Sequence, residues 1–161
     1  MKKVIILEGP DGGGKTTLAS WLHNTHGYVI VKTGPPGPGD VNAAYTAVLN
    51  AAIGRPDKTV FDRLHLGEAI YGPLLRGVDR MGADGLALIE QIIADNNVQL
   101  IICCPPWNVL VDGWRAKDDL LKNESQLRTV YNRYVEEAKR LKLAVYDWTV
   151  LDAEERLPHD V

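Results

Sequence analysis

Two cysteines in 161 residues, and those two adjacent, leave this chain almost without thiol chemistry. Cys103 and Cys104 fall in an apolar run, where neighbours on a strand point to opposite faces, so a bridge between them would be strained. There is no C-x-x-C, and both read as reduced, buried residues of a cytoplasmic protein. No apolar stretch approaches the length of a membrane span. The first apolar run, between Lys3 and Glu8, is too short for a signal peptide. Basic runs are absent too, and the net charge is −3, which argues against general binding of nucleic acid or anionic membrane. His23, His26 and His159 lack ligand spacing, which argues against a zinc site.

What is present is ordinary in bulk and specific in pattern. Hydrophobic residues make up 45% and charged residues 24%, enough for one core in a single domain over 1–161. Strand-like and helix-like segments alternate. Strands are expected at Val4–Glu8, Tyr28–Lys32, Lys58–Asp62, Val98–Cys104 and Ala144–Trp148. Helices are expected at Lys15–Thr25, Val41–Ile53, Leu64–Gly77, Ala83–Asn96, Trp107–Arg115 and Ser125–Leu141, with a break at Pro73 and Asp40 placed as a cap. That alternation implies an α/β three-layer sandwich, a five-stranded parallel sheet with helices on both faces, and ligands at the carboxyl edge of the strands. Thr33 to Asp40 carries three prolines and three glycines and reads as a loop.

After the first strand comes Gly9-Pro10-Asp11-Gly12-Gly13-Gly14-Lys15-Thr16, which fits the phosphate-loop pattern G-x-x-x-x-G-K-[ST] between strand and helix. Backbone N–H groups of such a loop and the helix N-terminus face a phosphate. Lys15 can reach the β- and γ-phosphates, and the Thr16 hydroxyl can ligate Mg²⁺. Thr17 completes the contact set. The pattern points to ATP with magnesium. The third strand ends in Asp62-Arg63, an acid suited to metal and water beside an arginine suited to a second phosphate.

With Phe61-Asp62-Arg63, Tyr71, Pro105-Pro106 through Arg115, and Val130-Tyr131-Asn132-Arg133-Tyr134, the chain resembles the thymidylate kinase group of nucleoside monophosphate kinases along nearly its whole length. The tract Leu66 to Pro73 also resembles kinases often encoded by bacteriophages. The resemblance implies a fold of P-loop type, ATP and Mg²⁺ as donor and cofactor, and a deoxynucleoside monophosphate as acceptor. It implies that Asp11 lies near the acceptor sugar, Arg63 holds the acceptor phosphate, Asp62 organises metal and water, Tyr71 disfavours a 2′-hydroxyl, and Arg115 serves ATP or a short lid around 116–124. That lid also carries Lys117 and Lys122. Tyr45 and Arg76 are further acceptor-side candidates. Arg76 and Arg80 would share a helix face if the helix persists.

The segment between Lys15 and Asp62 is shorter than in that group, and between Lys32 and Lys58 there is no Phe-x-x-x-Arg pair to read thymine. Weak base discrimination is therefore expected, with dTMP and dGMP the first candidates. A deoxynucleoside kinase, which needs a base for a hydroxyl proton, and an ATPase module without an acceptor stand as alternatives. Asp79-Arg80-Met81-Gly82 fits D-x-x-G, but no N-K-x-D accompanies it, which argues against a GTPase switch. His65 reads as a helix-surface residue or an acceptor contact, and Trp107 as core or a base contact. Small-molecule nucleotides are the expected partners, and the oligomeric state stays open, a homodimer included.

Overall fold

In the computed structural model, which describes residues 1–116, 121–143 and 145–150, the apolar runs form one five-stranded parallel sheet. The elements are β1 (Val4–Glu8), α1 (Lys15–His26), β2 (Val29–Lys32), α2 (Val41–Gly54), β3 (Thr59–Asp62), α3 (His65–Arg76), α4 (Gly82–Asp95), β4 (Gln99–Cys103), α5 (Trp107–Arg115), α6 (Glu124–Arg140) and β5 (Val145–Tyr146). The strand order is β2-β3-β1-β4-β5. The first strand is central, and its pairing places Leu7 beside Asp62 on one side and beside Ile101 on the other. The α/β three-layer arrangement expected from the sequence is present.

Alternation along each strand divides the core. Ile5, Leu7, Val60, Ile101 and Cys103 face α1, with Leu18, Leu22 and Tyr28 beneath them. Val4, Ile6, Phe61, Leu100 and Ile102 face the other side, where residues from α2 to α6 cover them. Strands buried on both faces are continuous apolar runs for this reason. Cys103 and Cys104 are free and buried, and burial pushes both thiols up to about 12. They are inert at neutral pH.

Local chemistry sets the element ends. The Asp40 carboxylate accepts from the amides of Asn42 and Ala43 at 2.9 and 3.1 Å, capping α2. Two expectations are corrected. Pro73 does not break α3, which runs unbroken past it to Arg76. The helix then stops at Gly77, whose φ of 70° is left-handed, so Arg80 lies beyond it and shares no face with Arg76. Arg80 instead donates to the carbonyls of Pro36, Gly37 and Gly39, tying down the Pro-Gly loop. Of the lid expected around 116–124, residues 117–120 lie outside the described residues, as does everything after Val150.

Candidate active site

The phosphate loop is shaped by contacts that no other residue type permits. Gly9 has a φ of 145°, and a β-carbon there would collide with the Cys103 carbonyl oxygen. Gly13 abuts the same oxygen. At Gly14, with φ of 90°, a β-carbon would stand 2.7 Å from Cδ1 of Trp148, just beyond β5. Two elements distant in sequence, β4 and the turn after β5, therefore close on the loop.

Lys15 opens α1 and is buried. Its Nζ donates to the carbonyls of Gly9 at 2.9 Å and Pro10 at 2.7 Å. Burial, then the neighbouring Arg63 charge, lowers its pKa to about 8. Beside it, Thr16 Oγ1 donates to Asp62 Oδ2 at 2.8 Å. A hydroxyl and a carboxylate at a phosphate loop are hard oxygen donors suited to Mg²⁺, which takes few protein ligands and completes its shell with waters and substrate phosphates. Among the described residues no group of three or more His, Cys, Asp or Glu could hold a metal ion by itself. Thr16 and Asp62 thus fit a magnesium that arrives with a nucleotide. Lys15, Thr16, Thr17, Asp62, Gly12, Gly13 and Gly14 all line one cavity, together with Val109, Gly113 and Trp148.

Arg63 follows β3 with a φ of 74°, unusual for a residue with a side chain. Its surroundings impose the conformation. The Arg63 amide donates to Leu7 O at 2.9 Å, and Thr33 Oγ1 donates to Arg63 O at 2.8 Å. Glu8, fully buried, accepts from the amides of Leu64 at 2.9 Å and Leu66 at 3.0 Å through Oε1. Tyr134 Oη donates to Glu8 Oε2 at 3.3 Å. Burial raises the Glu8 pKa, against the pull of the Leu64 amide and the Arg63 charge. So held, the Arg63 guanidinium donates to Gly9 O at 3.0 Å and to Asp11 Oδ1. Tyr71 completes the group. Its hydroxyl donates to Asp11 Oδ2 at 3.2 Å and accepts from the Asp11 amide at 3.1 Å, and the Arg63 guanidinium lies over its ring.

A second cavity of about 220 Å³ begins at Asp11, Thr33 and Arg63 and runs along α3 past Tyr71, Tyr45, Glu68, Leu75 and Arg76. Asp11, Thr33 and Arg63 line both cavities. The structure therefore brings Asp11, Arg63, Tyr71, Tyr45 and Arg76 together at one cavity and Asp11 to Thr17 at the other, while Gly9 lines neither. It does not bring Arg115 to either. That side chain, at the end of α5, pairs with Glu124 at 2.7 Å and Asp112 at 3.6 Å, more than half exposed.

His65, expected on a helix surface or near an acceptor, is fully buried with no hydrogen-bond partner among the described residues on either ring nitrogen, and burial lowers its pKa to about 4. Trp107 packs edge-on against Tyr131, with Arg128 over its ring, and lines neither cavity. Sequence reasoning missed Glu68, Thr33 and Trp148. Glu68 carried one usable signal, its place in the helix that follows Asp62-Arg63, two turns before Arg76.

No protein-family model matches the chain, and no curated protein matches it. Among solved structures it is similar to the YorR protein from Bacillus subtilis in complex with phosphorylated GDP. The identity is 20%, covering 94% of this chain and 90% of that one, with a TM-score of 0.76. It is similar to deoxyadenosine kinase from M. mycoides with bound dCTP at 19% identity over 95% and 94% of the two chains, TM-score 0.57. It is also similar to a gluconokinase from Sinorhizobium meliloti at 11% identity over 95% and 86%, TM-score 0.57. At these identities the likeness shows the fold, and the chain has the phosphate-loop α/β sandwich on which these solved structures are built.

Proposed function

We propose that the chain transfers the γ-phosphoryl group of ATP to the 5′-phosphate of a nucleoside monophosphate, giving ADP and a nucleoside diphosphate. The observation that carries this reading is the pair of cavities meeting at Arg63, Asp11 and Thr33. A guanidinium on the border of a phosphate-loop cavity can hold the acceptor phosphate in line with the donor. An acceptor phosphate oxygen would attack the γ-phosphorus while the bridging oxygen leaves with ADP. The acceptor is an anion at neutral pH, so the reaction needs positioning and charge neutralisation more than a base. Lys15 and Arg63 supply positive charge on either side. Magnesium, held through Thr16 and Asp62, would add charge neutralisation at the β- and γ-phosphates.

The placement of Glu8 argues against a hydroxyl acceptor. A nucleoside kinase needs a carboxylate free to take a proton, and Glu8 is engaged by Leu64, Leu66 and Tyr134 and lines neither cavity. The phosphorylated GDP bound to the YorR protein supports a nucleotide ligand. Tyr71, beside Asp11 on the cavity wall, supports a preference for deoxy over ribo sugars. The test is ADP release from ATP with each nucleoside monophosphate, each nucleoside, and no acceptor. Release driven by monophosphates is the expected result. Equal release without acceptor, or release driven by nucleosides, overturns the reading. Tyr71→Ala should relax the sugar preference, and Tyr71→Phe should keep it.

A further inference from the structure

The second cavity has two chemically different ends. Asp11, Thr33 and Arg63 are shared with the phosphate-loop cavity, so they form the phosphate end. Glu68, Arg76, Tyr45 and Leu75 line the second cavity alone, so they form the end where a base would lie. The Glu68 side chain is only 3% exposed, and its Oε1 accepts from Arg76 Nη2. Burying a carboxylate this deeply is unfavourable without a partner, and α3 is built to deliver one. Gly72 lies between the two on the same helix face. A β-carbon there would stand 2.9 Å from Arg76 Nη2 and 3.2 Å from Glu68 Oε1. Glycine inside a helix is unfavourable relative to alanine, and at this position it opens the path for the guanidinium to fold back. Tyr45 packs alongside, and burial, then the charge of Glu68, raises its pKa.

Glu68 lines the cavity and its bond to Arg76 is made through Oε1, so Oε2 remains an acceptor, and the Arg76 fork, partly exposed, retains further donors. The base end thus presents acceptors from a carboxylate next to donors from a guanidinium. Of the common bases, only guanine offers two adjacent donors, N1–H and N2–H₂, with an acceptor, O6, next to them. Adenine and cytosine have one amino group flanked by a ring acceptor, which a carboxylate would repel. Thymine has one N–H between two carbonyls, with the same conflict. Resting on the monophosphate kinase reading, we infer that Glu68 and Arg76 are a base-reading pair, Glu68 accepting from N1–H and N2–H₂ and Arg76 donating to O6, and that the acceptor is a guanine nucleoside monophosphate. The helix after Arg63 supplies the pair that the segment between Lys32 and Lys58 lacks, and discrimination is strong where the sequence alone suggested it would be weak.

The test is calorimetric binding of dGMP, dIMP, dAMP, dCMP and dTMP to the full chain, alongside ADP release with ATP. The expected result is dGMP binding about 100-fold or more tighter than dAMP, dCMP or dTMP, since a site whose polar groups are left unpaired rejects the wrong ligand strongly. Deoxyinosine monophosphate, which keeps O6 and N1–H but lacks the amino group, should bind about tenfold more weakly than dGMP. Glu68→Gln should weaken dGMP by about 10–100-fold while leaving dTMP within about threefold. Arg76→Lys should weaken dGMP and dIMP alike, because both carry O6. Equal binding of all bases, or a Glu68→Gln variant that weakens every monophosphate to the same extent, overturns the inference and marks the pair as structural only. Guanine-selective binding without ADP release would keep the pair and overturn phosphotransfer. Release with several bases equally would do the reverse, and failure of every monophosphate to bind would overturn both.

Discussion

Lys15 occupies a poor environment for an ammonium group until a phosphate joins it. Folded back on two loop carbonyls and buried, its pKa is lowered from an ordinary 10.5 to about 8. The sign follows from linkage. Between about pH 8 and 10.5 the unfolded chain holds a proton that the folded one has released, so this group disfavours folding below pH 8, and the disadvantage fades as pH rises. Lys15→Met should therefore raise stability at pH 7 by about 1–3 kcal/mol, measured by denaturant titration, while removing activity. Loss of charge stabilisation at the transferring group is worth about 3–4 kcal/mol in turnover. A variant that is both active and no more stable would refute the placement. Arg63→Ala separates the two cavities. It should raise the Michaelis constant for the acceptor and lower turnover, a loss of about 1.5–3 kcal/mol in kcat/KM, with ATP binding little changed. A fall in ATP affinity with acceptor kinetics intact would move Arg63 to the donor side.

At the level of elements, the start of α3 depends on a residue in β1. Glu8 holds the amides of Leu64 and Leu66 and thereby fixes the left-handed turn at Arg63. Glu8→Ala strands both buried amides at about 1–3 kcal/mol each. Glu8→Gln keeps an oxygen able to accept from both, so it should retain most of the stability and acceptor binding. Thermal melting and acceptor kinetics of the two variants check this, and equal damage from Gln would show that charge, not bonding, is what Glu8 supplies. The sequence placed Glu8 next to the loop but gave no view of its partners, because Leu64 and Leu66 are more than fifty positions away. Pro73 was misleading for a related reason. A proline lacks one N–H and normally bends a helix. Packing of α3 against α4 and α6 outweighs that local cost.

Across the whole molecule, the phosphate loop, the strand–helix alternation and the Asp62-Arg63 edge were legible because each is a local pattern with a local physical cause. What lay hidden was pairing across the fold: Arg76 folding back over Gly72, Arg80 gripping the Pro-Gly loop, and the burial of His65. That histidine, the first residue of α3 and facing charges from Glu90 of α4 and Arg140 of α6, stays neutral at pH 7. Its folded pKa of about 4 lies below the ordinary 6.5, so the unfolded chain takes up a proton first as the solution is acidified. Its neutral burial therefore supports folding above pH 6.5, and that support is lost as pH falls towards 4, by about 3 kcal/mol at most. The difference in unfolding free energy between the native chain and His65→Leu, followed from pH 7 to 4, should shrink or reverse in favour of Leu. A constant difference would show that the ring is not desolvated.

The close approach of Gly9 and Gly13 to Cys103, and of Gly14 to Trp148, has a bearing on time. A ribosome delivers the loop before either of its walls: Cys103 follows Gly9 by 94 positions (103 − 9) and Trp148 follows Gly14 by 134 (148 − 14). Until β4 and the turn after β5 have emerged, the glycines have nothing to lie against. ATP therefore cannot guide the early collapse of the nascent chain. Its stabilising effect begins only once both walls are in place, so a segment made early becomes competent late.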